Sequence, residues 1–595
     1  MPAISYDHLA AWSNYHLTIG KADAAHPAPA MTVKSLGHVH AADAGDLPGL
    51  ERFAATAKAL MGHVAKLGAM LEPTPDEPSP SPFAAGLVGR GWSFSPLIGT
   101  PVSMLECEGL AGTSALEAAD WNPRCGTPSD RIALTSGGTR LREIVQWAER
   151  GDLTVMTSGT HLGPTIAGGA CTASHGSRLG YGGIQDMILG MHLIVGTNEH
   201  VWIERASRPV LSEEGRRKLE FSGATFRHVA DDERFEDALV HLGGMGIVNG
   251  VALELVENQP FALMLRHAPL TQEWLEEIAA GAFGKIARRL QCTAAPIFHE
   301  LTFNPHAPFT DDAAHIMYFP RSAASLVPPG EADIMRPADA FGRIGFDLSP
   351  RAEALAAPDP WVVQALQLVL KKHPSAFSYY RDLAGFKPND SPYDPDGPDQ
   401  EAHYWSGLHR DEITGNSPGA LYNASFAIPL DRVAAAVPAI CRAVQALEPS
   451  FVFTLRFVRK AAGTLAFTRF TDCAVIEIDG LSPFICELIA ATLPSDVPHA
   501  DELRKAYLTL ATTLPRGARA VRQALDEASI PHSLHWAKLG DLDRAKVYKD
   551  FGHPADAESL VRQWRDTRAF LLTSLGKRLF WNEALVSYGL LERPS

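Results

Sequence analysis

The chain has 595 residues, 46% of them hydrophobic and 20% charged, with a formal charge of −15 at pH 7. That composition is long enough for two or more domains with their own cores and argues against extended disorder. The acidic balance excludes nucleic acid as the expected partner, since a phosphate backbone calls for concentrated Lys and Arg. Cys107, Cys125, Cys171, Cys292, Cys441, Cys473 and Cys486 are scattered without a C-x-x-C. Neither a disulfide framework nor a zinc ribbon is therefore expected, and reduced thiols in a cytoplasm fit best. No basic region followed by an apolar run opens the chain, and no run of about eighteen uncharged apolar residues occurs. The expectation is a soluble, cytoplasmic protein with no membrane span.

Residues 1–50, rich in His and Ala, read as an extension packed onto the body. His38 and His40 alternate as on a strand and have no evident third ligand, so no metal is expected. Residues 52–71 carry apolar side chains at helical spacing, whereas the Pro-rich run 72–82 cannot be regular structure. A first glycine segment follows, Gly89-Arg-Gly-Trp-Ser-Phe-Ser95. Arg131–Glu149 reads as a strand, a glycine turn and an amphipathic helix. It leads into Ser158–Ser177, where glycine, alanine and hydroxyl residues run almost without interruption. Side chains this small let backbone N–H groups close on a flat or anionic ligand, although they also permit tight packing alone. Ile184–Val195 reads as a buried helix end or strand, and Leu242–Leu255 is a third glycine-bearing segment.

Beyond Leu255 the pattern changes. Phe261–Arg266 reads as a strand and Gln272–Gly281 as a helix, and mixed helices and strands continue to about residue 520. Asn389–Gln400 is a long turn-rich loop of the kind that serves as a lid or binding loop. Phe451–Val458 and Cys473–Asp479 read as neighbouring strands. Gly415-Asn-Ser-Pro-Gly419 matches G-x-S-x-G, but without a preceding strand and with Pro418 beside the serine it reads as a turn. Asp394–Asp399 lacks the twelve-residue spacing of a calcium loop, and neither a Rossmann nor a P-loop glycine motif is present.

Thr165-Ile-Ala-Gly168 followed by Thr172, His175, Gly176 and Ser177, with the other two glycine segments in order, resembles the FAD-binding domain of the vanillyl-alcohol oxidase (PCMH-type) flavoproteins. The resemblance covers about residues 80–260 well and the rest through short motifs. His535-Trp-Ala-Lys538 and Phe580-Trp-Asn-Glu-Ala-Leu585 are similar to motifs of the aldonolactone and alditol oxidase branch. The implied fold class is α+β. It comprises an N-terminal extension (1–50), a two-part PCMH-type FAD-binding domain (51–260) and an α+β cap with an antiparallel sheet (261–520). A C-terminal segment (521–595) carries the His535–Lys538 motif and closes the active site.

The resemblance implies FAD held by Arg90, Gly91, Trp92 and Ser93, by Gly159, Thr160, Thr165, Gly168, Thr172, His175, Gly176 and Ser177, and by Ile247. Where relatives attach the flavin through a histidine or a cysteine, this chain has Trp92 and Gly163. The implied FAD is therefore non-covalent. Arg456 keeps the arginine of an E-x-R motif whose glutamate is replaced by Thr454. Glu477 on the neighbouring strand could supply the missing acid, or could be a surface residue of an alternating strand. Lys538, with His535 beside it, would ease formation of an alkoxide from a substrate hydroxyl.

The implied activity is an FAD-dependent oxidoreductase acting on a CH–OH group of a polyol, sugar lactone or other hydroxylated small molecule, by hydride transfer to flavin N5. Gly159, small against the reactive edge, favours molecular oxygen as acceptor. The alternatives are a dehydrogenase serving a quinone or protein acceptor, and a non-catalytic flavin-fold scaffold.

Overall fold

The computed structural model describes residues 2–20, 29–41, 47–72, 84–99, 103–159, 161–321, 336, 375–408, 419–447, 451–496 and 500–594. Thr160, residues 73–82 of the Pro-rich run and residues 415–418 of the G-x-S-x-G match lie outside them.

The fold is α+β. The N-terminal extension contributes β1 (Ala3–Trp12) and β2 (Met31–His40), an antiparallel pair. β2 also runs parallel to β4 (Ser103–Glu106), which pairs with β3 (Ala85–Val88). The extension is thus part of the sheet that leads into the first glycine segment. Helix α1 (Gly49–Met70) buries Leu50, Phe53, Ala57, Leu60, Met61, Val64 and Leu67, a 3.6-period stripe.

The strands that follow are β5 (Thr113–Ala115), β6 (Ile132–Ser136), β7 (Leu153–Thr154), β8 (Ile188–Ile194), β9 (Glu199–Glu204), β10 (Thr225–Ala230), β11 (Ile247–Glu254) and β12 (Val256–Glu257). β7 pairs with β12, and the others form a sheet ordered β10-β9-β8-β11-β6-β5. The predicted strand, turn and helix over 131–149 are β6, the Gly137-Gly138 turn and α2 (Leu141–Glu149), whose Leu141, Ile144, Val145 and Ala148 are buried. Of the two readings of 184–195, a single 3₁₀ turn opens into strand β8.

The third sheet lies wholly within residues 261–534. Its strands are β13 (Phe261–Pro269), β14 (Phe298–Phe303), β15 (Asp312–Pro320), β16 (Lys387–Pro388), β17 (Leu421–Pro429), β18 (Phe451–Arg459), β19 (Asp472–Leu481) and β20 (Ser533–Leu534), ordered β16-β13-β15-β14-β18-β19-β17-β20. Every pair is antiparallel except β13 with the short edge strand β16. Alternation along the strands separates two faces. Phe453, Leu455, Ile476, Ile478 and Phe426 enter a core with Val437 and Ile440 of helix Val433–Val444 and with Leu514, Ala518 and Val521 of helix Ala500–Glu527. The opposite face carries Thr454, Arg456, Glu477 and Asp479.

The Asn389–Gln400 loop packs at the far edge of this sheet, where Tyr393 donates to the Leu263 carbonyl and Arg266 donates to Asn389. It is absent from the cavity described next. Among the described residues no helix is long and apolar enough to cross a membrane, and all seven cysteines are free.

Candidate active site

The three glycine segments and the polar face of the third sheet line one cavity, together with His535, Ala537 and Lys538 and with Trp581 and the helix-capping Asn582. One wall is built from the glycine segments. Thr165 caps α3 (Ile166–Cys171) by accepting from the Gly168 N–H. Its side chain also fills the space a Cβ on Gly89 would need, 2.2 Å from Thr165 Oγ1. The first and second segments therefore meet at a contact only glycine permits. Gly91 sits at φ +66, and its carbonyl accepts from the N–H of Tyr15. Gly243 of the third segment also lines the cavity, and a Cβ there would meet no protein atom within 4 Å.

Arg90, Gly91, Trp92, Ser93, Gly159, Thr165, Gly168, Thr172 and His175 all line the cavity. Arg90 does so while paired to Glu108 at 2.5 Å. Gly176, Ser177 and Ile247 stand behind the wall. Gly176 is pressed against the Ser158 carbonyl, Ser177 Oγ bridges the His299 carbonyl and the Phe457 N–H, and Ile247 lies in the core. In their place the third segment presents Leu242 and Gly243.

Trp92 and Gly163, the two positions at which the resemblance looks for covalent attachment, lie against each other. A Cβ on Gly163 would come 2.7 Å from Trp92 Cζ2, and the indole stacks on Tyr15 with centroids 4.4 Å apart. Cys171 also lines the cavity, but its Sγ is held by the Gly168 carbonyl and burial pushes the thiol up to about 12. A thiol kept protonated is a poor nucleophile.

The other wall is made of side chains set by strand register. Thr454 on β18 lies directly opposite Glu477 on β19, and Ser425 on β17 lies opposite Glu477 on its other side. Thr302 on β14 lies opposite Thr454, and Glu300 opposite Arg456. Glu477, 1% exposed, has Arg456 Nε 2.8 Å from its Oε2, Lys538 Nζ against its Oε1, Ser425 Oγ at 3.2 Å and His175 Nε2 at 3.7 Å. Burial raises its pKa, but Arg456, Lys538 and His175 together hold the carboxyl well below the usual carboxylate range. Arg456 also faces Glu300 at 3.4 Å.

Asp479, two residues along the same strand face, has only neutral donors. Asn423 Nδ2 lies 2.6 Å from its Oδ1, and Thr454 Oγ1 lies 3.2 Å from its Oδ2. Burial, followed by the charge of Glu477, pushes Asp479 up to about 7. Two carboxyls on one strand are thus pushed in opposite directions, because Arg456 and Lys538 contact Glu477 directly and lower Asp479 only at longer range, where burial and the Glu477 charge outweigh them.

Lys538 reaches Glu477 from a segment fixed by backbone bonds. Phe94 and Ser95 donate their N–H groups to the Ala537 carbonyl at 2.7 and 3.2 Å, and Trp536 Nε1 donates to the Leu465 carbonyl at 2.7 Å. His535 Nδ1 accepts from the Ala537 N–H, and burial with the neighbouring Lys538 keeps its imidazole neutral. Lys538, Arg456, Glu477 and His535, dispersed over 83 residues of sequence, therefore converge on one cavity.

The sequence reading missed several wall residues. Asp479 follows Glu477 at the strand period of two, a signal that was there to be used. Asn423 gave no local signal. Nor did His16, which the N-terminal extension delivers to the cavity and stacks on Phe94 at 3.4 Å between centroids. Asn14 Nδ2 anchors that loop on the Ser93 carbonyl at 2.8 Å.

No protein-family model and no curated protein sequence matches the chain. Among solved structures it is similar to cholesterol oxidase from B. sterolicum, at 12% identity over 98% of this chain and 97% of that one, with a TM-score of 0.57. A solvent-stable cholesterol oxidase matches at 14% identity over 98% of both chains with a TM-score of 0.54. A point mutant of the Brevibacterium sterolicum enzyme matches at 12% identity, covering 97% of this chain and 98% of that chain, with a TM-score of 0.54. Over nearly its whole length, the chain has the fold of these cholesterol oxidases.

Proposed function

We propose that the protein is an FAD-dependent oxidase that oxidises a CH–OH group of a polyol, sugar lactone or other hydroxylated small molecule. The observation that carries the reading is the cavity itself, where the glycine segments and a row of polar side chains that includes the Lys538–Glu477 pair line one space. The residues present fit a flavin dinucleotide. The wall from Gly89 to Ser93 and from Thr165 to Thr172 offers backbone and small side chains to the phosphates and ring, with Gly243 leaving space beside them. Bound flavin would supply the two-electron acceptor.

The residues of this chain do the rest. Lys538, an ammonium beside the Glu477 carboxylate, is placed to orient a substrate hydroxyl and to stabilise negative charge on its oxygen. Arg456, Asn423 and Asp479 offer further polar contacts to a hydroxylated substrate. Their density supports a polyol or lactone, and the motifs at 535–538 and 580–585 support the aldonolactone and alditol branch. Gly159 on the wall supports oxygen as the acceptor. We assign residues 51–260 to flavin binding, 261–520 to the cap and 521–595 to closure of the site.

Purified protein is expected to show flavin absorption, to bleach anaerobically with alditols or aldonolactones, and to reoxidise in air. Acid precipitation should release free FAD, because Trp92 and Gly163 offer no attachment atom. A colourless protein that cannot be reconstituted with FAD would overturn the reading. Bleaching only by a sterol, the substrate named for the structural neighbours, would leave the oxidation of a CH–OH group standing and overturn the polyol and lactone assignment alone. Flavin retained by the precipitate would overturn the non-covalent assignment.

A further inference from the structure

Oxidation of an alcohol needs an acceptor for the hydroxyl proton, and the groups clustered around Glu477 in the cavity are poorly suited to that task. The Glu477 carboxylate has both oxygens engaged by cations, Arg456 on one and Lys538 on the other, and is held too acidic to take a proton readily. Lys538 is a donor to that carboxylate. His535 is a neutral ring whose Nδ1 already accepts from the Ala537 N–H. His175 Nδ1 sits 3.0 Å from the Gly176 carbonyl, and burial drops its pKa to about 3. Arg456 carries a fixed charge.

Asp479 differs from all of these. It lines the same cavity, is 3% exposed, and projects from the same face of β19 as Glu477. The groups that face it are Glu477 on its own strand, Thr454 and Arg456 on β18, Asn423 on β17 and Lys538 from the C-terminal segment. Among the described residues only Asn423 and Thr454 bond to it, and Arg456 and Lys538 act on it without a direct ion pair.

Resting on the flavin reading above, we infer that Asp479 is the catalytic base that accepts the substrate hydroxyl proton, while the Lys538–Glu477 pair orients that hydroxyl. In the step, the O–H bond breaks and its proton passes to an Asp479 carboxylate oxygen. The C–H bond breaks with its electron pair, which bound flavin would accept as hydride. The substrate carbon–oxygen bond becomes a carbonyl, so the substrate loses two electrons to that acceptor. The Asp479 pKa of about 7 suits the task, because a base works best when its proton affinity lies near the operating pH. Below that value Asp479 keeps its proton, so the rate should rise with pH through neutrality.

The test pairs infrared titration of the holoenzyme with stopped-flow reduction of its flavin by a reactive alcohol. In the wild type, the carbonyl band of a protonated carboxyl should disappear on titration through neutral pH, and the pH-dependent limb of flavin reduction should track it. In Asp479→Asn that band should be missing, the limb should vanish, and reduction should slow about 100-fold or more with FAD content unchanged. Asp479→Glu should restore both the band and the limb, which a purely structural role would not require. A neutral-range band that persists in Asp479→Asn, or a limb that survives in it, overturns the inference whatever the flavin does. A band that behaves as described in a protein that binds no FAD overturns the functional reading and the base role with it.

Discussion

The two walls of the cavity are built on different principles. The wall built from the glycine segments is closely packed, and its shape is set by contacts a single methyl group would break, such as Gly89 on Thr165. The cap-side wall consists of charged and hydroxyl side chains, and its chemistry is set by which strand lies beside which. The first wall is a steric device and the second an electrostatic one. A substitution in the first should therefore impair packing and binding, and a substitution in the second should impair chemistry or the balance of buried charge.

The largest separation of the two effects is expected for Lys538→Met. Flavin reduction should slow about 10²–10⁴-fold, the range for loss of a group that manages a proton or developing charge, while FAD content stays at the wild-type level. Equal losses of FAD binding and reduction would show that the two walls are not functionally separate.

Glu477→Gln attacks the cap wall at its charge balance, leaving Arg456 and Lys538 without their shared counter-ion. Breaking a buried pair by removing one partner costs about 3–5 kcal/mol. Asp479 and Glu300, also near Arg456, should offset part of this, so urea denaturation should show a loss toward the lower end of that range. No measurable loss would mean that this network contributes nothing to the stability of the cap.

Gly89→Ala probes the other wall and should have the smallest effect of the three. Its Cβ would lie 2.2 Å from Thr165 Oγ1, and overpacking of this kind costs about 1–3 kcal/mol. The melting temperature and FAD affinity should fall together, while the rate of reduction in protein saturated with FAD changes little. An unchanged FAD affinity would argue that the Gly89–Thr165 contact lies outside the flavin-binding surface.

The sequence by itself determined the elements whose signals are local. The 3.6-residue period predicted α1 and α2, the small-residue run marked the second glycine segment, and the alternation in 451–458 and 473–479 predicted two strands. Neighbouring positions in sequence carry those signals because dihedral preference and side-chain size act over a few residues. Arg456 and the candidate acid on the next strand were also legible.

What only the tertiary structure decided is register and approach. The direct opposition of Thr454 and Glu477 depends on strand pairing, and a slip of one residue would turn Glu477 toward the helix-covered core. The division of protonation between Glu477 and Asp479 depends on which carboxyl the side chains of Arg456 and Lys538 reach, one from β18 and the other from 61 residues beyond Glu477. The arrival of His16 depends on the N-terminal loop binding the Gly91 and Ser93 carbonyls. These are long-range electrostatic and packing outcomes, and no window of local sequence encodes them.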